Sequence, residues 1–113
     1  MVDSDAARTL ALALPDTTEQ PYHGIPSFRV AEKVFANLPD EEHMHIMLGE
    51  GEIREAASAH PDACQEQMWG KKLAALRVSL PNIEEPDLNG LLLAAWQRRA
   101  PTQLLKRFRA GDD

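Results

Sequence analysis

Five cationic side chains, Arg98, Arg99, Lys106, Arg107 and Arg109, fall in the stretch from Ala95 to Arg109, and no acid interrupts them. Trp96 precedes them and Pro101 breaks the stretch. Arginine offers a planar fork of donors that matches phosphate oxygens. Arg98 and Arg99 come just after an apolar run ending in Trp96, with Gln97 between, so their guanidinium groups are tethered to a rigid helix end. In an acidic chain this is a local reversal of charge, and an anion would dock there.

Further cations sit where turns and strands would present them. Lys71 and Lys72 follow Gly70, and Arg29 and Lys33 lie in or beside an earlier hairpin. Arg77 alternates with Leu76 and Val78, which puts it on the solvated face of a strand. Arg29, Lys33, Lys71, Lys72, Arg77, Arg98 and Arg99 are therefore the candidate phosphate contacts. Contacts of this type fix a nucleic acid in position without reading its bases. A plainer account of Arg98 and Arg99 also exists, since cations at a helix C-terminus stabilise the helix dipole by roughly 0.3–1 kcal/mol without any ligand.

Other chemistry is weaker. His43-x-His45 puts two imidazoles on one strand face, the geometry of two metal ligands. His23, His60, Cys64, Asp40, Glu41 and Glu42 could add donors, but no zinc-motif spacing connects them. Neither a resident metal nor a cofactor is expected. The acids Asp40-Glu41-Glu42 and Glu84-Glu85 read as solvated turns. Cys64 is the single cysteine, so no internal disulfide forms. Ser27, Ser58 and Ser79 have no evident base, and there is no G-x-S-x-G, P-loop or G-x-G-x-x-G. A non-enzymatic protein is expected. Trp69, beside the Gly70 turn, is the aromatic whose place is open, because an exposed aromatic next to cations can stack on single-stranded bases.

The elements that must position these residues follow from periodicity. A helix capped by Asp3 or Ser4 runs through Ala6, Ala7, Leu10, Leu12 and Leu14 to Pro15. Residues 16–21 are a polar connector. Segments 27–30 and 34–38 form a hairpin, residues 39–42 a turn, and 43–48 a third, half-buried strand. A short helix spans 52–59 and ends at His60-Pro61. Segments 65–69 and 76–80 form a second hairpin around Gly70. Asp87 caps a last helix whose apolar stripe is Leu88, Leu91, Leu92, Ala95 and Trp96, and residues 102–108 restart as a shorter helix. The order is α-β-β-β-α-β-β-α, an α+β fold with an antiparallel sheet covered by helices on one face.

A chain of 113 residues is one domain, here residues 1–113. No apolar run approaches the roughly 18 residues of a membrane span, and Asp3 and Asp5 do not suit a signal peptide, so a cytoplasmic protein is expected. The net charge is −6, unlike the basic domains typical of nucleic-acid binders. The charge is uneven, however: residues 1–64 hold four Lys/Arg and twelve Asp/Glu, residues 65–113 eight and six. Such asymmetry can steer an anion to one region of an anionic body.

Several strings in order carry a resemblance. Leu12-Ala13-Leu14-Pro15, His23-Gly24-Ile25-Pro26-Ser27-Phe28-Arg29-Val30, Val34-Phe35-Ala36, His60-Pro61, Ala95-Trp96 and Ala100-Pro101 resemble the MmcQ/YjbR-like family of small bacterial proteins. The resemblance implies a CyaY-like α+β fold with a double-wing architecture and a DNA-binding label. The expected function is a DNA-binding or regulatory accessory protein gripping phosphates through hairpin wings and a basic helix end. The alternative is a protein-interaction or small-anion-binding module that binds no nucleic acid.

Overall fold

The Asp3 carboxylate accepts the Ala6 backbone N–H at 2.7 Å and starts helix α1 (Ser4–Leu12). The computed structural model describes the backbone of residues 1–111 and the side chains through Phe108, which leaves the Arg109 side chain outside the described residues. α1 ends two residues earlier than its apolar pattern suggests and buries Ala7 and Ala11.

The expected polar connector at 16–21 is instead a strand, β1 (Thr17–Tyr22), paired antiparallel to β2 (Ile25–Val30). It carries no apolar period because it is an edge strand and almost wholly exposed. Pro21, which cannot donate to a ladder, is tolerated at such an edge. Strands β3 (Lys33–Asp40) and β4 (His43–Ile46), helix α2 (Glu50–Ala59), and strands β5 (Cys64–Trp69) and β6 (Lys72–Ser79) follow. A 3₁₀ turn over Leu80–Asn82 leads to α3 (Glu85–Arg99) and α4 (Thr102–Gly111). The N-cap of α3 is Glu84, and Asp87 stands inside its first turn rather than capping it. Pro86 at the helix start shifts the boundary forward, because its fixed φ already suits a first helical position.

All six strands form one antiparallel sheet in the order β1-β2-β3-β4-β6-β5. Both expected hairpins are integral to it, each closed by a two-residue turn. Gly70 has φ +64° at the first position of the β5–β6 turn, where a type II′ turn requires glycine. Ala31 and Glu32 close β2–β3 with φ of 51° and 64°, the left-handed pair of a type I′ turn built without glycine.

One face of the sheet is covered. Phe28, Ala36, Ile46 and Leu76 pair in a row across four strands and are fully buried. A bulge inserts Phe35 opposite the Phe28–Arg29 step, so Phe35 and Ala36 both enter the core. α2 packs on β5 and β6, α3 on β3 and β4, and α1 on α3 and β1. Trp96 is 0 % exposed, and its indole N–H donates to the Pro15 carbonyl at 2.9 Å, tying α3 to the segment after α1.

Candidate polyanion interface at one end of the sheet

Strand direction decides which charged residues meet. The β2–β3 turn, the β5–β6 turn, the N-terminus of α2 and the C-terminus of α3 all lie at one end of the sheet. That end gathers Lys33, Lys71, Lys72, Arg98 and Arg99. Lys33, Lys71 and Lys72 are exposed at the two tips, as is Arg98. Arg98 packs beside Gly49, the N-cap of α2, where an added Cβ would lie 3.7 Å from the arginine Nε. Arg99 is half-buried, and its Nε is enclosed with no hydrogen-bond partner. The acids at this end include Asp16, which faces Arg107 at 3.6 Å, and Glu52, which accepts the Gly49 N–H at 3.2 Å. Glu50 meets Arg54 at 3.8 Å, and Glu32 sits in the β2–β3 turn.

The opposite end is anionic. It is formed by segments 1–5, 22–25, 40–43, 60–64 and 79–87, which hold Asp3, Asp5, Asp40, Glu41, Glu42, Asp62, Glu84, Glu85 and Asp87. No Lys or Arg occurs in any of them. The unevenness along the sequence thus becomes a polarity along the strand axis. The unevenness was visible in the order of residues, but its alignment with the strand axis was not, since that depends on which turns share an end.

The two remaining candidates lie elsewhere. Arg29 and Arg77 are on the sheet face that the helices leave open. The Arg29 guanidinium lies 6.0 Å from the Tyr22 ring centroid, within cation–π range, and its Nε is buried without a partner. Arg77 donates from one terminal nitrogen to His45 Nε2 at 3.1 Å and approaches Asp40 with the other at 3.9 Å. Arginine can only donate, so His45 is neutral with its proton on Nδ1. Burial lowers the His45 pKa first, and the Arg77 and His43 charges lower it further. His43 Nδ1 stands 3.0 Å from Asp40. Burial acts to raise the Asp40 carboxyl, but hydrogen bonds from the Glu42 N–H and His43 outweigh it and hold the group below its usual value.

The two histidines share one face, as their alternation predicts, and each takes a protein partner there. Among the described residues no group of three or more His, Cys, Asp or Glu is arranged to hold a metal. The buried Cys64 thiol is pushed up to about 11 by burial and by the Asp87 carboxylate.

The YjbR family model matches residues 12–98. The chain belongs to the YjbR family. The matched region runs from the last residue of α1 to the penultimate residue of α3, and of the seven candidate cations only Arg99 falls outside it. No curated protein matches the chain, and no solved structure does. No described helix is long and apolar enough to cross a membrane.

Proposed function

We propose that this YjbR-family protein is a non-enzymatic DNA-binding or regulatory accessory protein. It contacts duplex phosphates through Lys33, Lys71, Lys72, Arg98 and Arg99. The observation that carries the reading is the axial charge polarity: two hairpin tips and a helix end deliver cations to one end, while the segments forming the other hold nine acids and no Lys or Arg. Of the Lys and Arg among the described residues, only Arg8 and Arg77 reach those carboxylates, at Asp5 and Asp40, from beside that end. Such a distribution orients the molecule in the field of a polyanion and keeps its acidic end away. The contacts go to the backbone, so affinity is independent of base sequence and falls steeply with salt.

The test is fluorescence anisotropy of a labelled mixed-sequence duplex at about 50 mM and about 200 mM salt. Saturable binding that weakens strongly at the higher salt supports the reading. The double substitution Arg98→Ala/Arg99→Ala should weaken binding to every sequence and flatten the log–log salt slope by about 2, at ~0.9 per lost phosphate contact. Wild-type behaviour of that variant removes the helix end from the site. Absence of duplex binding at the lower salt turns attention to a protein partner or a small anion at the same cationic end.

A further inference from the structure

The face of the sheet away from the helices has its own composition. Pairing register assigns its residues. Glu19 points to the helices, since it accepts from Arg8 of α1 at 2.9 Å, so Gln20 and Tyr22 point away. A second row then crosses all six strands as Gln20, Ser27, Asn37, His45, Arg77 and Gln65. Arg29, Lys72 and Trp69 share that face, by the contacts of Arg29 with Tyr22, of Trp69 with His45, and by the Trp69–Lys72 pair. The chain has 18 acids, yet by the same register this face holds one, Asp40, already facing His43 and Arg77.

Two aromatics stand at its opposite edges. Tyr22 on β1 is 56 % exposed and Trp69 on β5 is 52 % exposed, in a chain that buries its other tryptophan fully. Each has a cation at hand: Arg29 over the Tyr22 ring, and Lys72 across the ladder from Trp69. Six strands about 4.8 Å apart set the two edges about 24 Å from one another, and Tyr22 stands at the acidic end of its strand while Trp69 stands beside the cationic β5–β6 turn, so a bound strand crosses the face diagonally. Open aromatic rings interleaved with cations on an almost acid-free surface are the chemistry of single-stranded nucleic acid binding. Every base has a π-face to stack, and the phosphates follow the cations.

We infer that this open sheet face binds a short single-stranded nucleic acid, stacking bases on Trp69 and Tyr22 while Arg29 and Lys72 take phosphates. A duplex cannot use these rings, because its bases are stacked on one another. The two readings share Lys72, but this inference does not rest on the duplex reading, which needs Arg98 and Arg99 and neither ring.

The experiment titrates a short oligothymidylate, and separately a duplex of equal length, into the whole protein at low salt while following tryptophan emission. Trp96 is buried, so a stacked base quenches Trp69. The expected results are quenching by the single strand and, read by the anisotropy of a labelled oligothymidylate because the Trp69 variants lack the reporter, a loss of its affinity of roughly 5- to 100-fold in Trp69→Ala, with a loss in Tyr22→Ala as well. Trp69→Phe should restore most of it by keeping a ring. Arg98→Ala/Arg99→Ala should leave the quenching in place, which separates failure of this inference from failure of the duplex reading. No quenching up to about 100 µM oligonucleotide, the weak limit of non-specific binding, overturns the inference. So does wild-type affinity of both Trp69→Ala and Tyr22→Ala.

Discussion

The two faces of the sheet are one residue apart in register and opposite in purpose. On the covered face Phe28, Ala36, Ile46 and Leu76 form a row with no exposed surface. One step along each strand, Ser27, Asn37, His45 and Arg77 form the next row, polar throughout. Two tryptophans mark the same contrast. Trp96 is enclosed by the core and spends its N–H on Pro15, while Trp69 stands half in solvent against His45. The lesson is that burial, not residue type, separates the scaffold from the surface that can meet a partner. Large side chains on the open face are not needed for folding and are free for other use.

The largest effect expected from this contrast comes from Trp96→Ala. It empties a fully buried site and strands the Pro15 carbonyl, so it should cost about 3–5 kcal/mol in urea denaturation. Trp69→Ala should stay within about 1 kcal/mol, as substitutions on open surface do. Equal losses at the two positions would break the comparison and make Trp69 part of the core.

A smaller effect is expected at the β2–β3 turn, where Ala31 and Glu32 hold the left-handed conformation. Non-glycine residues pay for that backbone with strain. The pair Ala31→Asn/Glu32→Gly installs the residues a type I′ turn prefers and should stabilise the protein by about 1 kcal/mol, seen as a rise in Tm of several degrees. It also removes a carboxylate from the cationic end, so duplex affinity should rise slightly. A drop in Tm would show that Glu32 makes contacts that outweigh the strain.

How much of this was legible follows from which signals are local. The antiparallel sheet with helices on one face, both hairpins, and the burial of Trp96 were readable because apolar residues recur at fixed periods. β1 was not, because an exposed edge strand of Thr17, Thr18, Glu19 and Gln20 has no apolar face to announce it. The seven cations were readable as residue types, and Arg77 was readable on the solvated sheet face from its alternation with Leu76 and Val78, but which of them share one end was not. Strand order brings Lys33, Lys71, Lys72, Arg98 and Arg99 to one end and leaves Arg29 and Arg77 on the open face. The engagement of Arg77 by His45, thirty-two residues away, was equally beyond any local pattern. The alternation of His43 and His45 did signal that both would face one way.

The open face should also make the fold acid-sensitive, through His45. His45, 9 % exposed, is held neutral by burial and by Arg77. Its pKa is lowered in the fold, so below about 6.5, the ordinary histidine value, the unfolded chain takes up a proton that the native state refuses. Stability is then full above that pH, declines as pH falls below it, and levels off once pH passes below the lowered native pKa. Denaturation midpoints measured between about pH 7 and pH 5 should show this slope in the wild type and lose it in His45→Gln. Retention of the full slope in the variant would place the acid sensitivity in another group.

The smallest effect is expected on the covered face at its edge. Cys64 opens β5 opposite Val78 and is buried, with its thiol pushed up to about 11. The thiolate is the nucleophile, so at neutral pH the folded protein should react with a disulfide reagent far more slowly than the unfolded chain. Two barriers act in series, since the thiol must first be uncovered and then ionised. β5 is nonetheless an edge strand, held by β6 on one side alone and by α2 above. Labelling kinetics across a urea series therefore report how the edge opens. A native-state rate that grows with urea as steeply as global unfolding would mean that Cys64 is uncovered only when the core comes apart. A rate insensitive to low urea would mean that β5 peels away by itself, and with it Trp69 at its far end. The open-face site would then be built on a mobile strand, and its affinity would fall in step with that opening.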